Sequence, residues 1–407
     1  MCLATMAADV AENKLASDSP QCPLGRLVML MVVNALAGCA SALAPMPALP
    51  LAEKCAPIDD GQNCVTRGRQ AFTDYRRAKV REILDKSDGS RLASAPVAFI
   101  DSQRTEYSVL LVHGLNDSAY YMADLGEVLN RSGFNVISVL LPGHGTNTRE
   151  MLKVSAEQWR AEVDRGLEMA ALVGRKVIVG GFSLGAALAI DTVLRRDDIY
   201  GLLLFSPAIK LRSFDAVASL ACIPGLRSLV LETELPPNPV KYKYRVGNSV
   251  CQLTRLLRHN LTAEDRASET SNGSPSEPLQ DLARRVKVPT FVAFSFSDQR
   301  ISPAAALEFA GNIPAPVLVA TFGMAEDRGI PRLSNGQEIR VITDASLPHS
   351  YLVRRHNPYN GQEDPCFDRL AGVLGEFLAE HFHARRDSGN RGLPDCLPVD
   401  EALHGTD

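Results

Sequence analysis

Residues 177–195 have the sequence Val-Ile-Val-Gly-Gly-Phe-Ser-Leu-Gly-Ala-Ala-Leu-Ala-Ile-Asp-Thr-Val-Leu-Arg. The β-branched run at 177–179 predicts a buried strand, and the alanine-rich run at 184–195 predicts a helix. Ser183 stands between the two, with a glycine two places away on either side. A serine on so sharp a turn takes a strained backbone conformation, and only small residues at those two places allow the strand and the helix to approach each other. The stretch therefore predicts a strand–turn–helix unit with a serine at the turn.

The pentapeptide around this serine, Gly181-Phe-Ser-Leu-Gly185, has the Gly-x-Ser-x-Gly pattern of a nucleophile elbow. In such an elbow the new helix points its N-terminus at the reacting centre, which favours negative charge on a developing oxyanion. Taken alone, the pattern can also be an ordinary glycine-rich turn, because glycine and serine are common residues. The interpretation of Ser183 as a nucleophile therefore depends on the motifs around it.

A second motif follows the predicted strand at 109–112, where the chain continues His113-Gly-Leu115. In sites built on a nucleophile elbow, the loop after this strand supplies one backbone N–H of the oxyanion hole, and the residue after the nucleophile supplies the other. We therefore expect the N–H groups of Leu115 and Leu184 to be the two donors that stabilise the transition state. His113 is expected to hold the loop in place and not to act as the base.

An acid and a base complete the set in the chain order that the elbow requires, which is serine, then carboxylate, then histidine. Asp298 and His349 each follow a predicted strand, and ligands bind α/β sheets at the carboxyl ends of strands. His349 would take the proton of Ser183, and Asp298 would orient the imidazole and stabilise its charged form.

Two other residues remain alternatives for these roles. His356 is the competing base, and Asp344 could replace Asp298 as the acid, although it lies close to His349 along one strand end. His144 is expected to shape a turn near the site. Each of these residue types is ordinary in a loop, so the chain order and the strand-end positions carry the prediction.

Strands and helices alternate along most of the chain, which indicates a mostly parallel sheet with helices on both faces, an α/β fold. The predicted strands are 97–100, 109–112, 135–141, 177–179, 201–206, 289–296, 317–322 and 338–343, and the predicted helices are 68–85, 119–131, 155–173, 184–195 and 367–382. The third of these helices begins with a capping box, Ser155-Ala-Glu-Gln158. Residues 208–285 break the alternation and predict a cap inserted over the catalytic face.

The N-terminal region has a basic residue, Arg26, followed by an apolar run at 27–37 that ends in Leu36-Ala-Gly-Cys39. A basic flank, a short apolar run and small residues before a processing site are typical of a secretory signal and not of a full membrane span. The ending resembles the lipobox of bacterial lipoproteins, which implies that Cys39 is lipidated and becomes the first residue of the mature chain. We expect a chain anchored by lipid in the bacterial cell envelope, at the outer membrane or the periplasmic face. The alternative is an uncleaved anchor helix that continues to Ala44.

These features divide the chain into a signal segment (1–38), a tether (39–66), an α/β core (67–207 and 286–385), the cap (208–285) and a C-terminal tail (386–407). Beyond Cys39 the number of cysteines is even, which predicts disulfides in an oxidising compartment. The favoured pairs are Cys55–Cys64, Cys222–Cys251 and Cys366–Cys396. Free buried thiols are the alternative, above all for the middle pair. The chain has no Cys-x-x-Cys pair to support a zinc site, and we expect no metal.

Together these motifs resemble the α/β-hydrolase family and, within it, the carboxylesterase and monoacylglycerol-lipase-like group. The resemblance covers residues 97–382 and rests on Leu110-Leu-Val-His-Gly114, Pro142-Gly-His-Gly145, Gly181-Phe-Ser-Leu-Gly185, Asp298 and His349. It implies acyl transfer through an acyl-enzyme on Ser183 that water later hydrolyses, without a metal or an organic cofactor.

The resemblance leads us to expect a serine hydrolase of carboxylic esters, either short-to-medium acyl esters or monoacylglycerols. A net charge of −4 gives no reason to expect a nucleic-acid partner. A serine peptidase or amidase on the same scaffold is one alternative, and a non-catalytic lipoprotein that binds an envelope partner is another. In the cap, residues 226–235 and Lys241-Tyr-Lys-Tyr-Arg245 either line an apolar acyl pocket or pack the cap onto the sheet.

Overall fold

The structure is a computed structural model, and it describes residues 51, 55, 62–87, 89–211, 220–232, 238–262, 278–323, 333, 335–337, 339–343, 347–349, 352–356, 361 and 363–385. The predicted signal segment, most of the tether and the C-terminal tail lie outside these residues, as do Cys39 and Asp344. The predictions that concern them therefore stay predictions.

The described residues form ten strands, numbered here in chain order. They are Ala98–Phe99 (β1), Thr105–Val112 (β2), Asn135–Ser138 (β3), Gly174–Phe182 (β4), Ile199–Phe205 (β5), Val230–Glu232 (β6), Tyr244–Val246 (β7), Thr290–Ser295 (β8), Val317–Phe322 (β9) and Ile339–Thr343 (β10). Eight of them make one sheet in the order β1-β3-β2-β4-β5-β8-β9-β10, while β6 and β7 pair separately. Only β1 runs antiparallel within the large sheet, so the predicted mostly parallel sheet is confirmed.

Helices flank this sheet. They are Gln62–Lys86 (α1), Ala123–Arg131 (α2), Ala156–Val173 (α3), Leu184–Arg195 (α4), Gly247–Leu261 (α5), Pro278–Arg284 (α6), Pro303–Asn312 (α7) and Pro365–Phe382 (α8). Every residue of β3 and β8 is buried, as expected for strands covered on both faces. The predicted capping box is present at the start of α3, where the side chains of Ser155 and Gln158 each accept from the other's backbone N–H.

The N-terminal helix is longer than its pattern predicts. α1 begins at Gln62, inside the predicted tether, and not at Gly68. Its first turns already pack on the body of the protein, since Cys64 and Val65 are buried. A methyl group placed on Gly68 would come within 2.5 Å of Val173 at the end of α3. Tertiary packing therefore extends this helix beyond its recognisable amphipathic stretch.

The predicted cap region holds α5, α6 and the β6–β7 pair. A disulfide joins Cys222, which precedes β6, to Cys251 in α5, with a Cα–Cα distance of 4.8 Å. The Cys55–Cys64 pair is also present. Both predicted pairs are confirmed, and free thiols are wrong for these four residues. Cys366 is disulfide-bonded as well, and its predicted partner lies outside the described residues.

The cap exposes a concentration of large apolar side chains. They are Leu220, Ile223, Leu226, Leu229, Val230, Leu231 and Tyr244, each more than a third exposed. So many exposed apolar side chains within one short region are consistent with contact with a ligand, a membrane or a partner. Across the described part of the chain, no helix is long and apolar enough to cross a bilayer.

The turn between β4 and α4 is a tightly packed junction of backbone. A methyl group on Gly185 would lie 1.9 Å from the carbonyl oxygen of Val112 at the end of β2. A methyl group on Gly181 would lie 2.2 Å from the carbonyl carbon of Gly185. Both obstacles are main-chain atoms that cannot rotate away, so the two positions tolerate only glycine. The close approach of β2, β4 and α4 depends on them.

We expect Gly185→Ala to lower the free energy of unfolding by at least about 1–3 kcal/mol, because the added methyl group overpacks against main chain. The measurement is urea denaturation followed by circular dichroism. Gly375→Ala in α8 is the matched control, since no atom lies within 4 Å of its added methyl group. Removing this helical glycine should raise the free energy of unfolding by up to about 1 kcal/mol. Equal stability of the Gly185 variant and the wild type would contradict the packing argument.

Candidate active site

Ser183 occupies the β4–α4 turn with φ 53° and ψ −111°. A positive φ is rare for a residue with a side chain, and backbone strain of this kind is concentrated at functional sites. Three hydrogen bonds hold the conformation. The N–H of Ser183 donates to the carbonyl of Phe205 at 3.0 Å, and its own carbonyl accepts from Ala187 at 3.1 Å and Ala208 at 3.3 Å. The serine is half-buried, so the turn is fixed by its neighbours while the side chain keeps some access to solvent.

Asp298 and His349 are in direct contact. His349 Nδ1 lies 2.5 Å from Asp298 Oδ2. The other carboxylate oxygen, Oδ1, accepts the backbone N–H groups of Arg300 at 2.8 Å and Ile301 at 3.1 Å. The Asp298 side chain is fully buried and that of His349 is 10% exposed. A carboxylate beside Nδ1 places the proton on that nitrogen, which leaves Nε2 of His349 as an acceptor.

The Asp298–His349 pair lies at the same edge of the sheet as the strained serine. The ring of His349 packs against Phe182, the residue before Ser183, with ring centroids 4.8 Å apart. The elements explain this proximity, because Ser183 follows β4, Asp298 follows β8 and His349 follows β10. The carboxyl ends of parallel strands meet at one edge, where ligands of α/β sheets bind.

The competing base occupies a different environment. His356 is exposed, and its backbone forms an isolated bridge with Glu363 in front of α8. Among the described residues, no carboxylate contacts the side chain of His356 as Asp298 contacts that of His349. The geometry therefore favours His349 over His356, although the catalytic roles stay predictions.

Residues 113–117, named here the oxyanion loop, follow β2. The loop turns tightly, since the N–H of Asp117 donates to the carbonyl of Gly114 at 3.3 Å and Asn116 has φ 67°. Leu115 is half-buried in the loop, and Leu184 is the buried first residue of α4. The predicted donors thus lie on the two segments that Gly185 packs together.

His113 holds this loop through both of its ring nitrogens. Nδ1 contacts the carbonyl of Gly114 at 2.8 Å, and Nε2 accepts the N–H of Leu141 at 3.1 Å. The second bond requires an unprotonated Nε2, so Nδ1 carries the proton and donates. Burial lowers the pKa of His113 to about 4, which keeps the ring neutral at neutral pH. These contacts agree with the structural role that the sequence predicts for this histidine.

His144 supports His113 from the neighbouring turn. The two rings lie 4.8 Å apart, and Nδ1 of His144 contacts the carbonyl of Pro142 at 3.2 Å. Burial, and then the neighbouring His113, lower the pKa of His144 well below its usual value. Trp159 Nε1 donates to the same Pro142 carbonyl at 3.1 Å. The contacts of His144 thus agree with its predicted role in shaping the turn. The hydrogen bond from Trp159 to the same turn was not predicted.

Two residues of the cap segment that was predicted to line a pocket or pack on the sheet also contact the oxyanion loop, and these contacts were not predicted. Tyr242 of the cap donates its backbone N–H to Asn116 at 2.8 Å, and Lys241 Nζ lies 3.6 Å from Asp117 Oδ1. The cap residues are far from the loop in sequence, so no local pattern could have linked them. Among the described residues, no three histidine, cysteine or acidic side chains are grouped so that they could hold a metal ion.

Comparison with known proteins places this chain in a family. The family model described as serine aminopeptidase, S33, matches residues 103–321, which is more than half of the 407-residue chain. A thermostable monoacylglycerol lipase from Bacillus sp. (strain H-257) is 29% identical over 172 residues, 39% of this chain and 64% of the relative. Phospholipase YtpA from Bacillus subtilis (strain 168) is 31% identical over 107 residues, 26% of this chain and 41% of the relative. The chain thus spans less than two thirds of either curated relative.

Solved structures agree on the fold. A soluble variant of monoglyceride lipase from Saccharomyces cerevisiae, in complex with a substrate analog, superposes with a TM-score of 0.50 at 13% identity, covering 70% of this chain and 91% of that one. Together with the matched family model, this confirms the predicted α/β-hydrolase fold, and the sequence identity with the Bacillus lipase shows the similarity to monoacylglycerol lipases. The chain belongs to the serine aminopeptidase S33 family of α/β-hydrolases.

Proposed function

We propose that the protein is a serine hydrolase that cleaves carboxylic esters, with Ser183 as its nucleophile. One observation carries the proposal: a serine held at positive φ directly follows Phe182, whose ring packs against the histidine of a buried aspartate–histidine pair at the carboxyl edge of a parallel sheet. The strained backbone of the serine and the burial of the carboxylate each lower the stability of the fold. A catalytic role for the two residues explains why both features are present.

In the proposed mechanism, His349 Nε2 takes the hydroxyl proton of Ser183 as its oxygen attacks the ester carbonyl. Asp298 stabilises the imidazolium that forms. The N–H groups of Leu115 and Leu184 receive the negative oxygen of the tetrahedral intermediate. The intermediate collapses to an acyl-serine, and His349 returns the proton to the departing alcohol. Water, deprotonated by the same imidazole, then releases the carboxylic acid and restores the serine.

The substrate we propose is a monoacylglycerol or another ester with a short-to-medium acyl chain. The names of the relatives support it, since one is a monoacylglycerol lipase and another a phospholipase. The exposed apolar side chains of the cap also support it, because they suit an apolar substrate or a lipid aggregate.

An aminopeptidase or amidase is the second candidate, and the description of the matched family favours it. An aminopeptidase needs a carboxylate to bind the α-ammonium group of its substrate. Asp117, a buried carboxylate on the oxyanion loop, already faces the ammonium group of Lys241 at 3.6 Å. This pairing favours the ester over the amino-terminal peptide.

A fluorophosphonate probe tests the nucleophile. We expect the wild type to be labelled and Ser183→Ala to show no labelling. In an assay with p-nitrophenyl butyrate, His349→Ala should lower kcat by at least about 1,000-fold, because the serine then lacks its base. His356→Ala is the matched control and should keep the activity of the wild type. Loss of activity in the His356 variant together with normal activity in the His349 variant would move the base to His356. An unlabelled wild type would favour a non-catalytic envelope protein.

Assays of p-nitrophenyl esters and aminoacyl anilides, run on the same preparation, separate the two enzyme candidates. We expect kcat/KM for p-nitrophenyl butyrate to exceed that for alanyl or prolyl anilides by at least about 100-fold, corresponding to a difference of about 2.7 kcal/mol in transition-state stabilisation. The reverse order would establish an aminopeptidase and contradict the ester proposal.

We further propose that Cys39 carries a lipid that anchors the protein to the bacterial envelope. The support is the lipobox-like Leu36-Ala-Gly-Cys39 after an apolar run. Cys39→Ser should move the protein from the membrane fraction to the soluble fraction, because the acyl chains supply the membrane affinity. Ester hydrolysis should be unchanged. A variant that still sediments with membranes would favour the uncleaved anchor helix.

A further inference from the structure

The oxyanion loop contains a buried negative group. The side chain of Asp117 is 3% exposed. It lies against the backbone of the loop, since a methyl group placed on Gly114 would come within 2.4 Å of Asp117 Oδ2. Leu115, the residue after Gly114, carries the backbone N–H group that is proposed as one of the oxyanion donors. A carboxylate therefore stands beside the position where the reaction would develop negative charge.

The cap places a positive group opposite this carboxylate. Lys241 Nζ lies 3.6 Å from Asp117 Oδ1, and the lysine side chain is only 11% exposed. The same ammonium group stands over the ring of Tyr121, 5.7 Å from its centroid. Shielding from water strengthens both interactions relative to those of a surface lysine.

The backbone around Lys241 is anchored to the core, so the lysine is held where it is. The N–H of Tyr242 donates to the Asn116 carbonyl at 2.8 Å, on the loop itself. The Tyr242 hydroxyl donates to the carbonyl of Gly143 at 2.9 Å and accepts the N–H of Thr146 at 2.9 Å. The cap segment therefore contacts the oxyanion loop at Asn116 and Asp117 and forms hydrogen bonds to the neighbouring turn at 143–146.

An unbalanced carboxylate here would oppose catalysis in two ways. Its charge would repel the oxyanion through a medium of low dielectric constant. Its own need for hydrogen bonds would draw on the N–H groups of the loop, which the oxyanion is proposed to use. A fixed ammonium group 3.6 Å away compensates the charge and so removes the first effect.

We propose that Lys241 is a positioning residue of the cap, which neutralises Asp117 and so keeps the oxyanion loop available to negative charge. This inference rests on the proposed function. Lys241 thus has a role beyond lining or packing, because its charge balances that of a carboxylate on a loop of the core. The cap contributes to the chemical step and not only to the binding of substrate.

Variants of the full chain test the proposal with p-nitrophenyl butyrate. Lys241→Met should lower kcat by about 10- to 100-fold and change KM by less than about threefold, because the oxyanion exists only after substrate is bound. Lys176→Met is the matched control, since Lys176, near the start of β4, pairs with the exposed Glu106 and should keep wild-type kcat. The double variant Asp117→Asn with Lys241→Met removes both charges and should return kcat to within about fivefold of the wild type.

The rescue separates an electrostatic role from a merely structural one. Loss of packing by Lys241→Met would remain in the double variant, so equal losses in the single and double variants would overturn the proposal. Unchanged kcat in Lys241→Met would overturn it too. If Lys241→Met fails to fold, the double variant decides alone: near-wild-type kcat supports the charge balance, and a loss above about 10-fold contradicts it. A wild type that neither hydrolyses the ester nor reacts with the fluorophosphonate marks the failure of the proposed function instead.

Discussion

The contact between Gly185 and the carbonyl of Val112 is the constraint on which the rest of this structure depends. It lets the first turn of α4 rest on the end of β2 with no side chain between them. Ser183 consequently sits at the strand-to-helix turn, and the oxyanion loop that continues from β2 is brought beside the start of the same helix. Main chain, and not side-chain packing, sets the spacing between the proposed nucleophile and the proposed donors, which gives the site a precision that loops alone rarely have.

Charge at the site is managed by burial and by fixed partners. Asp298 is fully buried, yet two backbone N–H groups and His349 satisfy its oxygens. His113 is buried as a neutral ring, and both of its nitrogens are engaged. Asp117 faces the ammonium group of Lys241. A low-dielectric site can therefore form without an uncompensated charge, which is the condition under which preorganised dipoles act most strongly on a transition state.

Much of this could be predicted from sequence because it is encoded locally. The elbow at Ser183, the helix at 184–195 and the strand at 317–322 follow from periodicity and glycine placement, and the structure reproduces their bounds. Helix α7 was missed although Ser302 caps it and Pro303 begins it, since its apolar alanines lack a clear periodicity. The contacts of Lys241 and Tyr242 could not be predicted, because they join segments that only the folded cap brings together. A contact between two segments that carry no recognisable motif leaves no trace in a single sequence.

The disulfide between Cys222 and Cys251 makes the structure of the cap depend on the redox state of its surroundings. The strands that carry the serine, the aspartate and the histidine contain no cysteine, so no disulfide joins them to one another, although α1 and α8 are disulfide-bonded through Cys64 and Cys366. The apolar segment before β6, residues 220–229, is joined to α5 by a disulfide bond that glutathione and thioredoxin would reduce. Protein produced in a reducing cytosol would therefore keep the strand-to-helix turn at Ser183, but its segment 220–229 would not be joined to α5. Substrate preference measured on such material would describe a different cap from that of the oxidised protein.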